Sequence, residues 1–563
     1  MRAMSAETLN TDVAIIGGGP AGLMLAIELG CRGVRCVVLE EDADVPVPPK
    51  ANATSARTME HYRRRGFAHA VRAIGLTEDH PQDVVYCTRL GGTELARFAG
   101  PSRADAVARR NLGGLSEAAW PTPELPHRAN QMYIEPLLRR EAHRHASVDL
   151  RFSTRATAVN DHGAGVTVDT VRTDGGNPLR ISAAYAVGCD GARSVVREAM
   201  GVRYAGLAGE QREFFGGQML SLHFRSPDLY RAIGERAWTW WLFNPVQRGV
   251  LLALNGVDEF IFGLQLKPGQ KKEDVDVDAL FRTVTHAPFA FELLDRSTWS
   301  AGFMLVAEKM QVGRLFVAGD AAHLFTPTAG MGYNTSVDDA VNLGWKLAAV
   351  AQGWAPPALL ASYEAERRPI AERNTGFARS MAESIGRMPV PPDVEQAGSA
   401  ADAVRQAFGA RLLAHVTTEY NIPGIQLGLR YGGPVVATEP GAPPVDVPNR
   451  YEPSGYPGAR APHVALPDGS SIFDHFGRDF TLLALAETAP AEFGAWAEAA
   501  RAMAVPLKLM PWPDAATLAA SRALYGADCV LIRPDHHIAW RGALSADAAA
   551  LLALATGRHI AHA

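Results

Sequence analysis

The sequence predicts an α/β fold in which a parallel sheet that carries helices is combined with a second, antiparallel sheet. Three observations predict it. Short apolar runs with the length and branching of buried parallel strands end in glycine-containing turns that open helices, around residues 13–22, 184–197 and 313–347. Between the second and third of these, from about Phe214 to Lys267, the pattern changes to longer alternating strands rich in aromatics. A length of 563 residues also exceeds what one hydrophobic core ordinarily serves, so two or three domains are expected.

The first run, Val13-Ala14-Ile15-Ile16, breaks into Gly17-Gly18-Gly19-Pro20-Ala21-Gly22. A helix follows with Leu23, Ala26, Ile27 and Leu29 inward, until Gly30 and Gly33 end it, and a second strand, Cys36-Val37-Val38-Leu39, closes on Glu40. This is a Rossmann-like βαβ unit with G-x-G-x-x-G at its turn. Gly17 permits the tight turn, Gly19 lets backbone approach a pyrophosphate, and Gly22 allows close helix–strand packing. The helix start, where Pro20 fixes the first turn, offers the free N–H groups from Ala21 onward to an anion. Glu40 stands where a carboxylate accepts both hydroxyls of an adenosine ribose. The unit leaves NAD and FAD equally open.

A proline-rich loop, DADVPVPPK, comes next, then a helix entered around Arg57-Thr58-Met59-Glu60. Arg57 is placed to reach a phosphate, with a surface salt bridge as the alternative. Residues 64–125 give no clear pattern. A helix is predicted from Gln131 to Arg140, followed by antiparallel strands near 148–152 and 165–168. The run Ala184–Gly188 then ends in Cys189-Asp190-Gly191, where open α/β sheets bind ligands; a simple helix N-cap is the alternative for Asp190.

In the antiparallel region, Trp238, Trp240, Trp241, Phe243 and Phe262 are candidates to line a pocket for a planar aromatic ligand, with core packing the alternative for at least half. The last motif strand, Leu315–Ala318, ends in Gly319-Asp320, and Thr326-Pro327-Thr328-Ala329-Gly330-Met331-Gly332-Tyr333-Asn334 opens a long helix. Asp320 faces a hydroxyl-bearing ligand in this reading, while the Gly330–Gly332 loop aims N–H groups at an acceptor. One extended ligand touching all three strand ends would explain them together.

Composition excludes several classes. Net charge is −5 with no basic stripe, which argues against nucleic acid, and no apolar stretch is long enough to span a bilayer. The start, MRAMSAETLNTD, lacks the apolar core of a signal peptide, so a cytoplasmic location is expected. The five cysteines (Cys31, Cys36, Cys87, Cys189, Cys529) show neither C-x-x-C nor ligand spacing, so no disulfide framework and no metal site is expected.

GGGPAG with Glu40, VGCDGARSVVR, and GRLFVAGDAAH with PTAGMGYN resemble, in order and spacing, the motifs of the single-component FAD-dependent aromatic hydroxylases of the para-hydroxybenzoate hydroxylase class. The resemblance covers the whole chain. Residues 456–464 and the tail VLIRPDHHIAWRG are similar to the longer phenol and polyketide hydroxylases, which carry a thioredoxin-like C-terminal domain. It implies a Rossmann-like FAD-binding domain of the glutathione reductase type at 10–185 and 306–395, an interleaved antiparallel-sheet substrate domain at 186–305, and a linker with the thioredoxin-like α/β domain at 396–563.

The resemblance also implies residue roles. Glu40 holds the adenosine ribose, Arg57 and Gln131 reach the phosphate–ribityl region, and Asp320, after Gly319, binds the ribityl chain. Gly330, Met331 and Gly332 supply backbone donors at the flavin pyrimidine edge, with Asn334 close by. Asp190 and Gly191 lie near the nicotinamide and FAD approach, and Pro327 faces the substrate. The implied chemistry is reduction of FAD by NAD(P)H, capture of O2 as a flavin C4a-hydroperoxide, and oxygen transfer to a small aromatic substrate. With no second G-x-G-x-x-G, NAD(P)H docks transiently. His223, Arg225, Tyr333 and His323 are candidate proton acceptors, with structural roles as the alternative.

Three departures stand out. Lys50 replaces an arginine that many relatives place after the proline loop, Asn52 stands where some phenol hydroxylases have a histidine, and the C-terminal domain lacks C-x-x-C, which excludes thiol exchange. The rival readings are Baeyer–Villiger oxygenation, a flavin-dependent halogenase suggested by Trp238-Thr239-Trp240, and a non-catalytic FAD-binding protein. Substrate, NADH against NADPH, and oligomeric state, a homodimer included, stay open.

Overall fold

The computed structural model of the chain describes residues 7–44, 50–209, 214–488 and 490–560; the first six residues and the proline loop at 45–49, both read above, lie outside the described residues. Its larger parallel sheet runs in the order Gln311–Val312, Leu315–Val317, Leu179–Gly188, Glu7–Ile16, Cys36–Leu39, Val148–Arg151, parallel except for the first pair. Register decides what this sheet can do. Val317 pairs with Gly188, Gly188 with Ile16 and Ile16 with Leu39, so four strands end level. The residues that follow them, Ala318-Gly319-Asp320, Cys189-Asp190, Gly17 and Glu40, are thereby brought to one edge, the carboxyl edge where open sheets bind ligands. Strands Thr154–Asp161 and Val166–Arg172 extend the sheet as an antiparallel meander on Leu179–Gly188.

The helices Pro20–Gly30 and Met331–Ala351 pack on each other. Their approach is so close that a Cβ on Gly344 would lie 2.6 Å from Glu28 Cβ. The two helices thus carry the first and last glycine motifs as one body.

A second sheet has seven strands in the order Glu292–Ala301, Gly217–Arg225, Glu259–Gln265, Arg248–Ala253, Thr239–Phe243, Val84–Cys87, Glu94–Phe98. The last two come from the stretch that shows no pattern in sequence. They are short, and Val84–Cys87 finds its place only by parallel pairing with Thr239–Phe243, a partner some 150 residues away. One face of this sheet, with Trp240, Leu242, Leu251, Phe260, Phe262, Leu220 and Leu222, is fully buried, and Phe281 of the helix Val277–Val284 covers part of it. The opposite face carries Tyr86, Thr239, Trp241, Leu252, Ile261, His223 and Ser221, and is partly open at Ser221 and Leu252.

The C-terminal part is a four-stranded mixed sheet, Leu507–Pro511, Phe480–Ala484, Cys529–Ile532, Ile538–Gly542, flanked by the helices Phe493–Ala502, Ala515–Tyr525 and Ala548–Ala555. Both faces are buried. Trp345 of the long helix and Trp354, just beyond its end, share one of these cores with Phe480, Leu482, Leu531 and Trp496. This region is therefore built into the rest, not appended to it.

All five cysteines are unpaired. Among the described residues no helix is long and apolar enough to cross a membrane, and no group of three or more His, Cys, Asp or Glu is placed to hold a metal ion.

Candidate active site

The glycines of the first turn separate into two kinds. Gly17 has φ +107°, and a Cβ there would stand 2.2 Å from the Cys189 carbonyl oxygen; one on Gly22 would stand 2.0 Å from the Gly17 carbonyl oxygen. These two are required by chain-to-chain contact. Gly19 is not: its φ of −75° suits any residue, and nothing lies within 4 Å of the Cβ it lacks. The helix Pro20–Gly30 has no side-chain cap, so its first N–H groups face that open space. Glu40 is held at the rim, one oxygen accepting the Gly18 N–H at 2.6 Å and the other the Asp42 N–H at 3.0 Å.

Asp190 accepts the Val195 N–H at 2.8 Å, and burial raises its carboxyl pKa against the pull of Ser194 and backbone donors. Asp320 is exposed, yet desolvation raises its pKa while His323 and Lys50 pull the other way. An exposed carboxylate in desolvating surroundings lines a groove. Asp339, which the sequence analysis missed, sets this loop: Oδ2 accepts the Gly319 N–H at 3.1 Å and lies 2.6 Å from His323 Nε2, while Oδ1 takes Arg367 Nε at 2.7 Å. An acidic pair, Asp338-Asp339, inside a helix that is buried over nearly its whole length was the available signal. His323, fully buried in that network, is a positioning residue.

At the other end of the groove, Gly330, with φ +63°, precedes the long helix and provides no side-chain cap. A Cβ on it would come 2.9 Å from Ala53 Cβ. Asn334 clamps the same place, accepting from the Ser55 N–H and Thr58 Oγ1 at 2.7 Å each and donating to the Ala53 and Gly330 carbonyls at 3.0 and 2.6 Å. Its side chain is thus spent on bracing. The Gln131 N–H donates to the Ala51 carbonyl at 2.7 Å, and its amide is turned to Glu135. Pro327 is exposed between strand His323–Phe325 and the helix, in a loop pinned by Thr328 Oγ1 to the Ala378 carbonyl at 2.5 Å and by the Ala329 N–H to Glu419 Oε1 at 3.0 Å. Glu419 carries no local signal, because it acts from a helix 90 residues further on.

Gly17, Gly19, Pro20, Ala21, Gly22, Glu40, Asp190, Gly191, Gly319, Asp320 and the loop at Gly330, Met331 and Gly332 therefore share one groove region. Four expectations need correction. Arg57 turns its guanidinium to buried Glu60, at 3.0 Å, and to the Asp535 carbonyl, because that carboxylate and the C-terminal region lie on its side of the helix Ala56–Arg64. Trp240 and Trp241 cannot line one pocket, since consecutive strand residues face opposite ways: Trp240 sits in the closed core with Tyr230, and Trp241 faces Tyr86 and Phe215. His223 and Arg225 are engaged elsewhere. His223 Nε2 is 2.7 Å from Glu259, which also accepts from Tyr133, and half-exposed Arg225 lies 3.6 Å from Asp258. Tyr333 is paired with the Tyr62 hydroxyl, and burial raises both pKa values, so it is no proton acceptor near neutral pH.

A family model of the FAD binding domain matches residues 10–378, and a model of the aromatic-ring hydroxylase C-terminal domain matches residues 454–562. The chain belongs to the FAD-dependent aromatic-ring hydroxylases. It is 31% identical to the FAD-dependent monooxygenase apdD of Emericella nidulans over 96% of this chain and 89% of that one. It is 32% identical to the aklavinone 12-hydroxylase RdmE of Streptomyces purpurascens over 96% and 97%. The crystal structure of K252c-soaked RebC superposes with a TM-score of 0.85 at 32% identity, covering 98% of this chain and 100% of that chain.

The groove of this hydroxylase fits the cofactor. A pyrophosphate is matched by the space at Gly19 and the uncapped helix beside it, a ribityl hydroxyl by the desolvated Asp320 carboxylate, and an electron-rich ring edge by the uncapped N–H groups after Gly330.

The opposite placement of the two tryptophans gives a sharp expectation. Trp241→Ala in the hydroxylase should raise substrate KM roughly tenfold or uncouple NAD(P)H oxidation from product in the fraction that folds, beside a stability loss of about 3–5 kcal/mol, because Trp241 is itself buried against Tyr86, Phe214 and Phe215. Trp240→Ala should lower the melting temperature, by a core-deletion effect of about 3–5 kcal/mol, while the soluble fraction keeps its KM. Equal effects of both on KM would show the face assignment to be wrong.

Proposed function

We propose that the protein hydroxylates a phenolic or polycyclic aromatic substrate, using FAD, NAD(P)H and O2. One observation carries the reading: the aromatic face of the second sheet meets the loop that opens the long helix. Trp241 on that face contacts Tyr86 and Phe215, Tyr420 lies beside Trp238, and the neighbouring Glu419 holds the Ala329 N–H of the loop. A planar ring slotted there would stand next to the flavin end of the groove. Relatives named for polyketide and aklavinone hydroxylation point to the same substrate class.

Bound FAD, once reduced by NAD(P)H, supplies oxygen activation and transfer to the ring. The chain's own residues do the rest. Glu40 and the Gly17–Gly22 turn hold the ADP half, and Asp320 the ribityl chain. The N–H groups from Gly330 to Gly332 stabilise negative charge on the ring edge beside them, in the manner of an oxyanion hole. Trp241, Tyr86 and Phe215 orient the substrate and keep water out, which a reactive oxygen donor requires. Residues 10–185 and 306–395 serve the cofactor in this reading. Residues 186–305, with the strands between Val84 and Phe98, cover the substrate, and residues 396–563 brace the assembly. A cytoplasmic location agrees with the NAD(P)H supply.

The test is a panel of phenols and polycyclic aromatics, scored together for stimulated NAD(P)H consumption and for oxygenated product. Ring-hydroxylated product is expected. Ester or lactone product would replace hydroxylation with Baeyer–Villiger chemistry, and consumption with no oxygenated product from any compound would defeat the proposal.

A further inference from the structure

Among the described residues, no carboxylate pairs with Arg128. It precedes the helix Gln131–His143, and its guanidinium carbon sits 4.0 Å from the centroid of Trp238 and 5.7 Å from that of Tyr420. Its guanidinium lies over these two ring faces, and among the described residues no hydrogen bond or ion pair reaches it. Glu419 is the acidic side chain that acts on it, but only from a distance, because both Glu419 oxygens are occupied: Oε1 by the Ala329 N–H at 3.0 Å and Oε2 by His415 Nε2 at 3.0 Å. Burial pushes the Arg128 pKa down to about 10, although part of the side chain remains accessible. The accessible part lies beside the rings of Trp238 and Tyr420. A guanidinium in such surroundings is costly unless an anion pairs with it.

Other donors around Tyr420 are unmet too. Tyr86 Oη and Trp238 Nε1 are buried without hydrogen-bond partners. An indole N–H and a guanidinium only donate, and a phenol donates as readily as it accepts, so the occupant must bring acceptor oxygens. The side chains around these donors are aromatic: Tyr86 and Trp241 stand nearly parallel, 9° between planes with centroids 6.2 Å apart, and Tyr420 meets Trp238 edge-on at 5.7 Å.

We infer that Arg128, with Tyr86 and Trp238, forms a subsite for an anionic oxygen carried on the aromatic substrate, a carboxylate or an ionised phenol, and so fixes which edge of the ring faces the Gly330 loop. A guanidinium presents two parallel N–H groups to such an oxygen set, which fixes orientation as well as charge. The inference rests on the aromatic-hydroxylase reading but is separable from it. Arg128 acts here in binding and orientation, not in the oxygen chemistry.

The experiment is calorimetric titration of the oxidised FAD holoenzyme at pH 8 with two matched pairs of probes. One pair is 1-hydroxy-2-naphthoate and its carboxamide; the other is 4-nitro-1-naphthol, ionised at that pH, and its methyl ether. Wild type is expected to bind the anion of at least one pair about tenfold or more tightly than its neutral partner. Arg128→Gln should abolish that preference, and Arg128→Lys should keep part of it. Whichever pair shows the preference identifies the anionic group. No preference in either pair for wild type, or an undiminished preference in Arg128→Gln, overturns the inference. If Arg128→Gln loses FAD or melts early, Arg128→Lys decides: a preference unchanged by loss of the two-pronged contact counts against the subsite. Because these titrations contain no reductant, an enzyme that hydroxylates neutral and anionic rings alike would sink the subsite and leave the proposed reaction standing.

Discussion

Gly19→Val is expected to give a folded protein that has lost its flavin. The position tolerates a side chain as far as the protein is concerned, since φ is −75° and no atom lies within 4 Å of an added Cβ. What the side chain fills is the space over the first helical N–H groups, where the pyrophosphate belongs. FAD affinity should fall by about 100-fold or more, equivalent to roughly 3 kcal/mol. The apo protein should keep its melting temperature. Gly17→Ala is the contrasting control: with φ +107° and a clash at 2.2 Å on the Cys189 carbonyl, it should damage the fold itself. Fluorescence titration of apo protein with FAD, beside thermal unfolding without it, reads both. A Gly19→Val protein that binds FAD normally would mean that the groove is not where the pyrophosphate lies.

Glu366→Gln should be strongly destabilising, because Glu366, on the helix Ser362–Gly386, ties the C-terminal region to the rest through Arg533. Fully buried Glu366 receives Arg533 at 2.6 and 2.8 Å, Lys346 at 2.7 Å and Asn342 at 2.7 Å, and Arg533 is shared with Asp535 at 2.7 Å. Two acids balance two bases. Removing one acid leaves a buried positive charge, at a cost of about 3–5 kcal/mol. The double variant Glu366→Gln, Lys346→Met restores the count and should recover much of the lost melting temperature. No recovery would mean that packing, not charge balance, dominates.

The same cluster gives a pH dependence with a definite sign. Burial alone would raise the Glu366 pKa, but Arg533 and Lys346 outweigh it and hold it at about 2, below its ordinary 4.5. Its stabilising contribution is therefore complete above about pH 4.5 and is lost as pH falls toward 2.

The outcome at each motif shows what kind of information sequence carries. The Gly17–Gly22 turn, Glu40, Asp190 and Asp320 are legible because a strand end, a tight turn and a helix start are local, and each needs a particular residue type where it stands. The strands Val84–Cys87 and Glu94–Phe98 are not legible, because a short apolar run becomes a strand only when a distant partner pairs with it. Arg57 shows the converse. Its place beside the nucleotide fold was visible in sequence, whereas the direction of its guanidinium is set by Glu60 and by Asp535, which is 478 residues away.

By itself, then, the sequence determined that this protein has a dinucleotide-type turn, two further strand-end acids, an aromatic antiparallel sheet and the family to which the chain belongs. Tertiary structure alone decided that Gly188, Ile16, Leu39 and Val317 end level, that Trp240 and Trp241 lie on opposite faces of the second sheet, and that among the described residues no carboxylate pairs with Arg128. The reason is physical. Local geometry follows from the residues that adopt it, while register, facing and charge pairing are properties of two segments at once, and only the folded chain brings the second one in.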